Sequence, residues 1–134
     1  MPRVLGHLGI SVPDLRTAQA YYDQLMPLVG FEPFLAEVDQ IAYRPAAGKP
    51  GTYLFVYPAA APEPYSPAAA GLQHLAFMVP TRAAVDAVHR HAAANGDEVV
   101  HPPRAWPEYP PPYYATFWRD PHGFLLEAVC HHDR

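Results

Sequence analysis

The chain is short of the residues on which several protein classes depend. It has one cysteine, Cys130, so no internal disulfide can form and no cysteine-based zinc site is available. It has one lysine, Lys49, and an acidic balance of nine Lys and Arg against thirteen Asp and Glu. With no basic stretch to track a phosphate backbone, a nucleic-acid partner is not expected. No apolar run approaches the ~18 residues of a membrane span. The first ten residues, MPRVLGHLGI, lack the charged start, long apolar stretch and small-residue cleavage site of a secretory signal. These absences set the expectation of a soluble, cytoplasmic protein that handles a small molecule and uses no membrane.

What is present supports a packed core. The 134 residues are 50% hydrophobic and 13% aromatic, which suits one compact domain or two small modules. The 18 prolines far exceed the average share of about 5% and cluster between the patterned segments. Eight histidines are too many for all to be functional, so position must decide among them.

The chain repeats itself at a period of about 67 residues. Residues 5–13 read LGHLGISVP and residues 72–80 read LQHLAFMVP, which superposes His7 on His74 and Val12-Pro13 on Val79-Pro80. A helical pattern follows each, ending at Gly30 and at Gly96. The repeat predicts two copies of one module, about 1–60 and 68–134, joined by a Pro- and Ala-rich linker at 58–71.

In residues 4–12, Val4, Gly6, Leu8, Ile10 and Val12 alternate with Leu5, His7, Gly9 and Ser11, as a strand requires. The second copy sets Leu75, Phe77 and Val79 against His74, Ala76 and Met78. In both copies the bulkier face suits packing under a helix, and the histidine lies on the other. Asp14 and Thr81 are predicted N-caps. The helices carry apolar stripes at Leu15, Ala18, Tyr22, Leu25 and Val29, and at Ala84, Val85, Val88 and Ala92. Further strands are expected at 32–37, 40–45, 52–57, 97–101, 113–119 and 123–129. Asp120-Pro121-His122-Gly123 fits a type I turn between the last two. The expected order is strand, helix and three strands, twice over.

His7 and His74 occupy equivalent positions on the faces turned from the helices, so pseudo-symmetric packing of the modules would let the two rings converge. Glu127 lies in FLLEAV, residues 124–129, where a carboxylate among apolar neighbours is costly unless paired, hydrogen-bonded or bound to a metal. It shares a strand face with Leu125 and Val129. Two histidines and one carboxylate form a facial triad with open positions, as a catalytic metal needs.

The paired modules, their opening histidines, and the run from Tyr114-Ala115-Thr116-Phe117 through Asp120-Pro121-His122-Gly123 to Glu127 resemble the vicinal oxygen chelate superfamily. Its members include glyoxalase I, extradiol dioxygenases, fosfomycin-resistance enzymes and bleomycin-resistance proteins. The resemblance spans nearly the whole chain. It implies an α+β fold of two βαβββ modules, a curved mixed sheet forming a cup with helices on its outer face. It also implies one divalent metal, Fe, Mn, Zn, Ni or Co, on His7, His74 and Glu127. Small members of the group are usually dimers, so a homodimer is expected, with the cup built within one chain or across two.

Aligning Gly51 with Gly123 sets Phe55 opposite Glu127, and no acidic residue lies between Asp39 and Glu63. Glyoxalase I carries a glutamate on that strand, so its chemistry in the usual form is disfavoured. Three ligands suit lyase or isomerase chemistry on a substrate with vicinal oxygens, or ring-cleaving Fe(II) oxygenation. There is no basic cluster suited to phosphonate and glutathione, as a fosfomycin-resistance enzyme would need.

The resemblance favours Tyr114 as a substrate hydrogen-bonding or proton-relay residue, and His101 is placed to reach the cup mouth. Tyr53 and Phe55 are further candidates for substrate contact. His89 and His91 belong to the second helix. His131 and His132 are tail residues suited at most to an adventitious ion, and Cys130 is expected to be inert. Residues 101–114 hold six prolines interleaved with Trp106, Tyr109, Tyr113 and Tyr114, a stiff segment expected to form an aromatic lid with Arg104 anchoring an anionic substrate group. Two other readings compete with the enzyme. One is a metal-free cup that binds a planar ligand, as bleomycin-resistance proteins do. The other is an interaction module working through the proline-rich segment.

Overall fold

The structure, a computed structural model, describes residues 4–61 and 63–134. Residues 1–3, where the first module was expected to begin, and Pro62 of the expected linker lie outside them. The chain divides into two compact units, Met1–Pro64 and Tyr65–Arg134.

The first unit runs β1 (His7–Val12), α1 (Leu15–Leu25), a 3₁₀ turn (Met26–Val29), β2 (Phe31–Ala36), β3 (Ile41–Pro45) and β4 (Tyr53–Pro58). Its sheet has the order β1-β4-β3-β2, with β1 parallel to β4 and the other pairs antiparallel. Alternation in β1 is realised as expected: Ile10 and Val12 are buried, while His7, Gly9 and Ser11 are exposed. Asp14 caps α1 by accepting from the backbone N–H groups of Arg16 and Thr17, which satisfies donors that have no partner inside the helix. The helix buries Leu15, Ala18, Tyr21, Tyr22 and Leu25. It stops being α-helical one turn before Gly30, because Pro27 has no N–H to continue the ladder. The tighter turn that follows ends at Gly30, whose φ of 85° lies in the left-handed region that glycine tolerates.

The second unit runs β5 (Leu75–Met78), α2 (Arg82–Ala94), β6 (Val99–Ala105), β7 (Tyr114–Arg119) and β8 (Leu125–Cys130). Its sheet order is β5-β8-β7-β6, again with one parallel pair, β5 and β8, and two antiparallel pairs. Thr81 caps α2 through the N–H of Ala84 at 3.1 Å. Val85, Val88 and Ala92 of α2 are buried, and so on the sheet are Phe77, Trp118, Leu126, Ala128 and Cys130. A second apolar group, Trp106, Ala115, Phe117 and Val129, is also buried, with Val100, Tyr113 and Leu125 packed against it. By strand alternation it lies on the opposite face of β7 and β8.

One expectation is corrected here. Residues 101–105, expected to begin a lid, belong to β6. Pro102 and Pro103 fit there because β6 is the edge strand, where a missing N–H costs no ladder bond. The pairing register shifts between His101 and Arg104, as the two prolines require. The loop proper is 106–113, closed by a hydrogen bond from the Trp106 N–H to the Tyr113 carbonyl at 2.9 Å.

Candidate functional site

The two units can be compared strand by strand. In the first, β1 pairs with β4 so that Gly9 stands beside Phe55. In the second, β5 pairs with β8 so that Ala76 stands beside Glu127. Gly9 follows His7 by two residues, as Ala76 follows His74. Phe55 is therefore the counterpart of Glu127, and each histidine has a matching neighbour. The His7 ring meets the Phe55 ring edge-on, centroids 5.3 Å apart, whereas His74 Nε2 lies 3.3 Å from Glu127 Oε1.

Glu127 is 1% exposed, in a strand flanked by two others, and its carboxylate is engaged at both oxygens. Oε1 faces His74, and Oε2 accepts a hydrogen bond from the Tyr113 hydroxyl at 2.5 Å. Burial first, then the hydrogen bond and charge of Glu127, push the Tyr113 phenol above its ordinary range, so it stays a proton donor to the carboxylate. His74 Nδ1 is hydrogen-bonded to Gln73 Oε1, which orients the ring with Nε2 toward Glu127. The structure thus brings together two of the three expected ligands.

These groups line a cavity of about 360 Å³ together with His101, Trp106, Tyr109 and Phe117. His101 packs edge-on against Trp106 and Phe117, with centroids 5.0 and 5.7 Å apart. Trp106 is held by its indole N–H, which donates to the Ala115 carbonyl at 3.2 Å. The volume lies at the small end of the range typical of ligand pockets, roughly 300–1,000 Å³.

Other expected residues fall elsewhere. Tyr114 lies on the opposite face of β7. Its hydroxyl donates to Asp86 of α2 at 2.7 Å, and Arg82 stacks on its ring. Its neighbour Tyr113 takes the place beside Glu127 that Tyr114 was expected to fill. Arg104 is not part of the cavity wall. Its guanidinium lies over the Trp106 ring at 3.4 Å and 3.7 Å from Glu108, so its charge is used in packing the loop. Phe55 stacks with Tyr57, and Tyr53 meets Phe34 edge-on, in the first unit. Gln73 was missed from the sequence, and Tyr109 and Tyr113 were expected only as aromatics of the lid segment. The signal for Tyr113 was present in the alternation Tyr113, Ala115, Phe117, but using it requires the register of the β7–β8 hairpin.

His74 and Glu127 suit a shared divalent ion. Ligand bonds of about 2.0–2.2 Å place two neighbouring donors of one ion roughly 3 Å apart, close to the 3.3 Å between Nε2 and Oε1. Among the described residues no group of three or more His, Cys, Asp or Glu side chains is gathered to hold an ion. No helix among the described residues is long and apolar enough to cross a membrane.

Known proteins share this architecture. A candidate glyoxalase from Bacillus halodurans superposes with a TM-score of 0.80 at 25% identity, covering 94% of each chain. A lactoylglutathione lyase from Agrobacterium tumefaciens shares the fold, with a TM-score of 0.68 at 22% identity over 96% of this chain and 94% of that one. An uncharacterised protein of Pseudomonas aeruginosa is 32% identical over 127 residues, 95% of this chain and 88% of its own length. One sequence family matches residues 4–128 of the chain. The chain belongs to the Glyoxalase/Bleomycin resistance protein/Dioxygenase superfamily.

Proposed function

We propose that this protein is a divalent-metal-dependent enzyme acting on a small molecule that chelates the metal through two neighbouring oxygens. His74 and Glu127 would hold the ion, with His7 of this chain or of a second copy as the third ligand. The observation that carries the reading is the His74 ring nitrogen set 3.3 Å from an oxygen of the buried Glu127 carboxylate, both residues lining one cavity. A buried carboxylate facing an imidazole is a costly arrangement for stability alone. When bound, the ion supplies Lewis acidity for lyase or isomerase chemistry, or, as iron, a centre for ring-cleaving oxygenation.

The chain's own residues do the rest. Trp106 and Phe117 give the cavity apolar walls that orient a substrate and exclude water. His101, in the wall between them, presents an imidazole for proton transfer. The counterpart of Glu127 in the first unit is Phe55, which can neither ligate an ion nor accept a proton, and this supports a reaction other than that of glyoxalase I.

The test is metal content per chain, by mass spectrometry, on protein purified without a histidine tag. Near-stoichiometric metal is expected in the wild type, falling sharply in His74→Ala, Glu127→Ala and His7→Ala. Equal content in wild type and variants, or no uptake from Fe(II), Mn(II) and Zn(II), would overturn the assignment.

A second reading has its own support. The aromatic wall and the two-donor set also suit a metal-free protein that binds a flat ligand, as the bleomycin-resistance branch of the family name implies. Ligand binding indifferent to a chelator, with no metal in the wild type, would select it.

A further inference from the structure

We propose that Tyr113 is a positioning residue that reserves one oxygen of Glu127 for the ion, an inference that rests on Glu127 being a ligand. The Tyr113 hydroxyl donates to Oε2 at 2.5 Å, while Oε1 faces His74 Nε2 at 3.3 Å. A carboxylate with one oxygen occupied by an O–H donor offers an ion the other oxygen alone. Glu127 would then bind through Oε1 and leave an additional coordination position for substrate.

The phenol is itself held in place. Tyr113 packs on Tyr109 with ring centroids 4.7 Å apart, and the His131 ring meets it edge-on at 5.1 Å. By strand alternation from Glu127 through Val129, His131 extends from the same face. This gives His131 a packing contact beside the site. The β7–β8 register sets the parity: Phe117 stands opposite Glu127, which leaves Ala115 and Tyr113 on the same side. Tyr113 is the residue at that end long enough to reach back to Oε2.

Partners that orient a ligand in this way typically account for about 10–100-fold in metal affinity. Tyr113→Phe keeps the ring and its packing and removes only the donor. The experiment has two readouts. Infrared spectra of the metal-free protein, with the Glu127 bands identified by their loss in Glu127→Gln, report how unequal the two carboxylate oxygens are. A wide separation of the antisymmetric and symmetric stretches is expected in the wild type and a narrower one in Tyr113→Phe. Calorimetric titration with Mn(II) is expected to give binding about 10–100-fold weaker in Tyr113→Phe than in the wild type. Tyr114→Phe, which loses a hydroxyl on the other face of β7, should match the wild type in both.

An unchanged separation of stretches, or Mn(II) binding in Tyr113→Phe as tight as in the wild type, would overturn the role of Tyr113. Failure of the wild type to bind Mn(II), Fe(II) and Zn(II) alike would overturn the metal reading instead. The spectra of the metal-free protein would still decide whether Tyr113 makes the two oxygens unequal.

Discussion

Glu127 is where chemistry and stability pull apart. Its carboxylate is 1% exposed, and the groups facing it, an imidazole and a phenol, compensate only part of the lost hydration. Removing the carboxylate relieves its desolvation, and the His74 ring left behind is 39% exposed and can turn to water. Glu127→Leu in the metal-free protein is therefore expected to keep or raise the urea midpoint while abolishing metal uptake. A lower midpoint would make the carboxylate a structural group. His74 and Glu127 were both readable from composition and alternation, because a histidine at a repeat-equivalent site and a carboxylate in an apolar strand break the local pattern. Tyr113 breaks no pattern. Adjacent tyrosines on a strand look alike until the partner strand says which of them faces the site.

That decision is made at the scale of the hairpin. The three-residue loop Pro121-His122-Gly123 is closed by the Asp120 N–H, which donates to the Phe124 carbonyl at 3.0 Å, and by the Gly123 N–H, which donates to the Asp120 carbonyl at 3.0 Å. Gly123, at φ 94°, takes the left-handed position that such a loop needs after its type I turn. A two-residue loop would have slid the register by one and placed the face of Tyr114 and Thr116 against Glu127. The loop depends on the buried Asp120, whose carboxylate accepts from the N–H groups of His122 and Phe124, both at 2.9 Å. Asp120→Ala strands those donors and is expected to cost about 1–3 kcal/mol. Thr81→Ala, which removes the cap of α2, is expected to cost about 1 kcal/mol. Urea unfolding of the two variants should rank them in that order. The turn itself and both caps were legible in sequence, because Asp, Thr, Pro and Gly act locally. The extension of β6 through Pro102 and Pro103 was not, because a strand's place at the edge of its sheet is a non-local fact.

Across the whole molecule the tyrosines set the alkaline limit. Burial, followed by a hydrogen bond to Asp23 at 2.8 Å, raises the Tyr43 phenol far above its ordinary 10.0. Burial and Asp86 raise that of Tyr114 in the same direction. Below pH 10 these phenols are protonated in both folded and unfolded chains, and their contribution is constant. Above it the unfolded chain releases protons that the folded one retains, so stability falls as pH rises. The urea midpoint is expected to drop beyond pH 10, with a shallower drop in Tyr43→Phe. An equally steep drop in that variant would contradict the assignment. The resemblance of the chain to small superfamily members also leads us to expect a dimer. Light scattering at micromolar concentration should give twice the 14.8 kDa chain mass, and a monomer would refute it.

Caps, strand alternation and the oddity of Glu127 are carried by residues within a few positions of one another, and the repeat by two such short stretches placed side by side. They were enough to identify two βαβββ modules and to nominate His7, His74 and Glu127. Other features needed the folded chain. These are the equivalence of Phe55 and Glu127, the loss of Arg104 to the Trp106 ring, and the exchange of Tyr114 for Tyr113. Each depends on which residue of a distant strand or loop lies alongside. Strand pairing has a period of two, so a shift of one residue reverses every face, and local sequence carries little record of that choice.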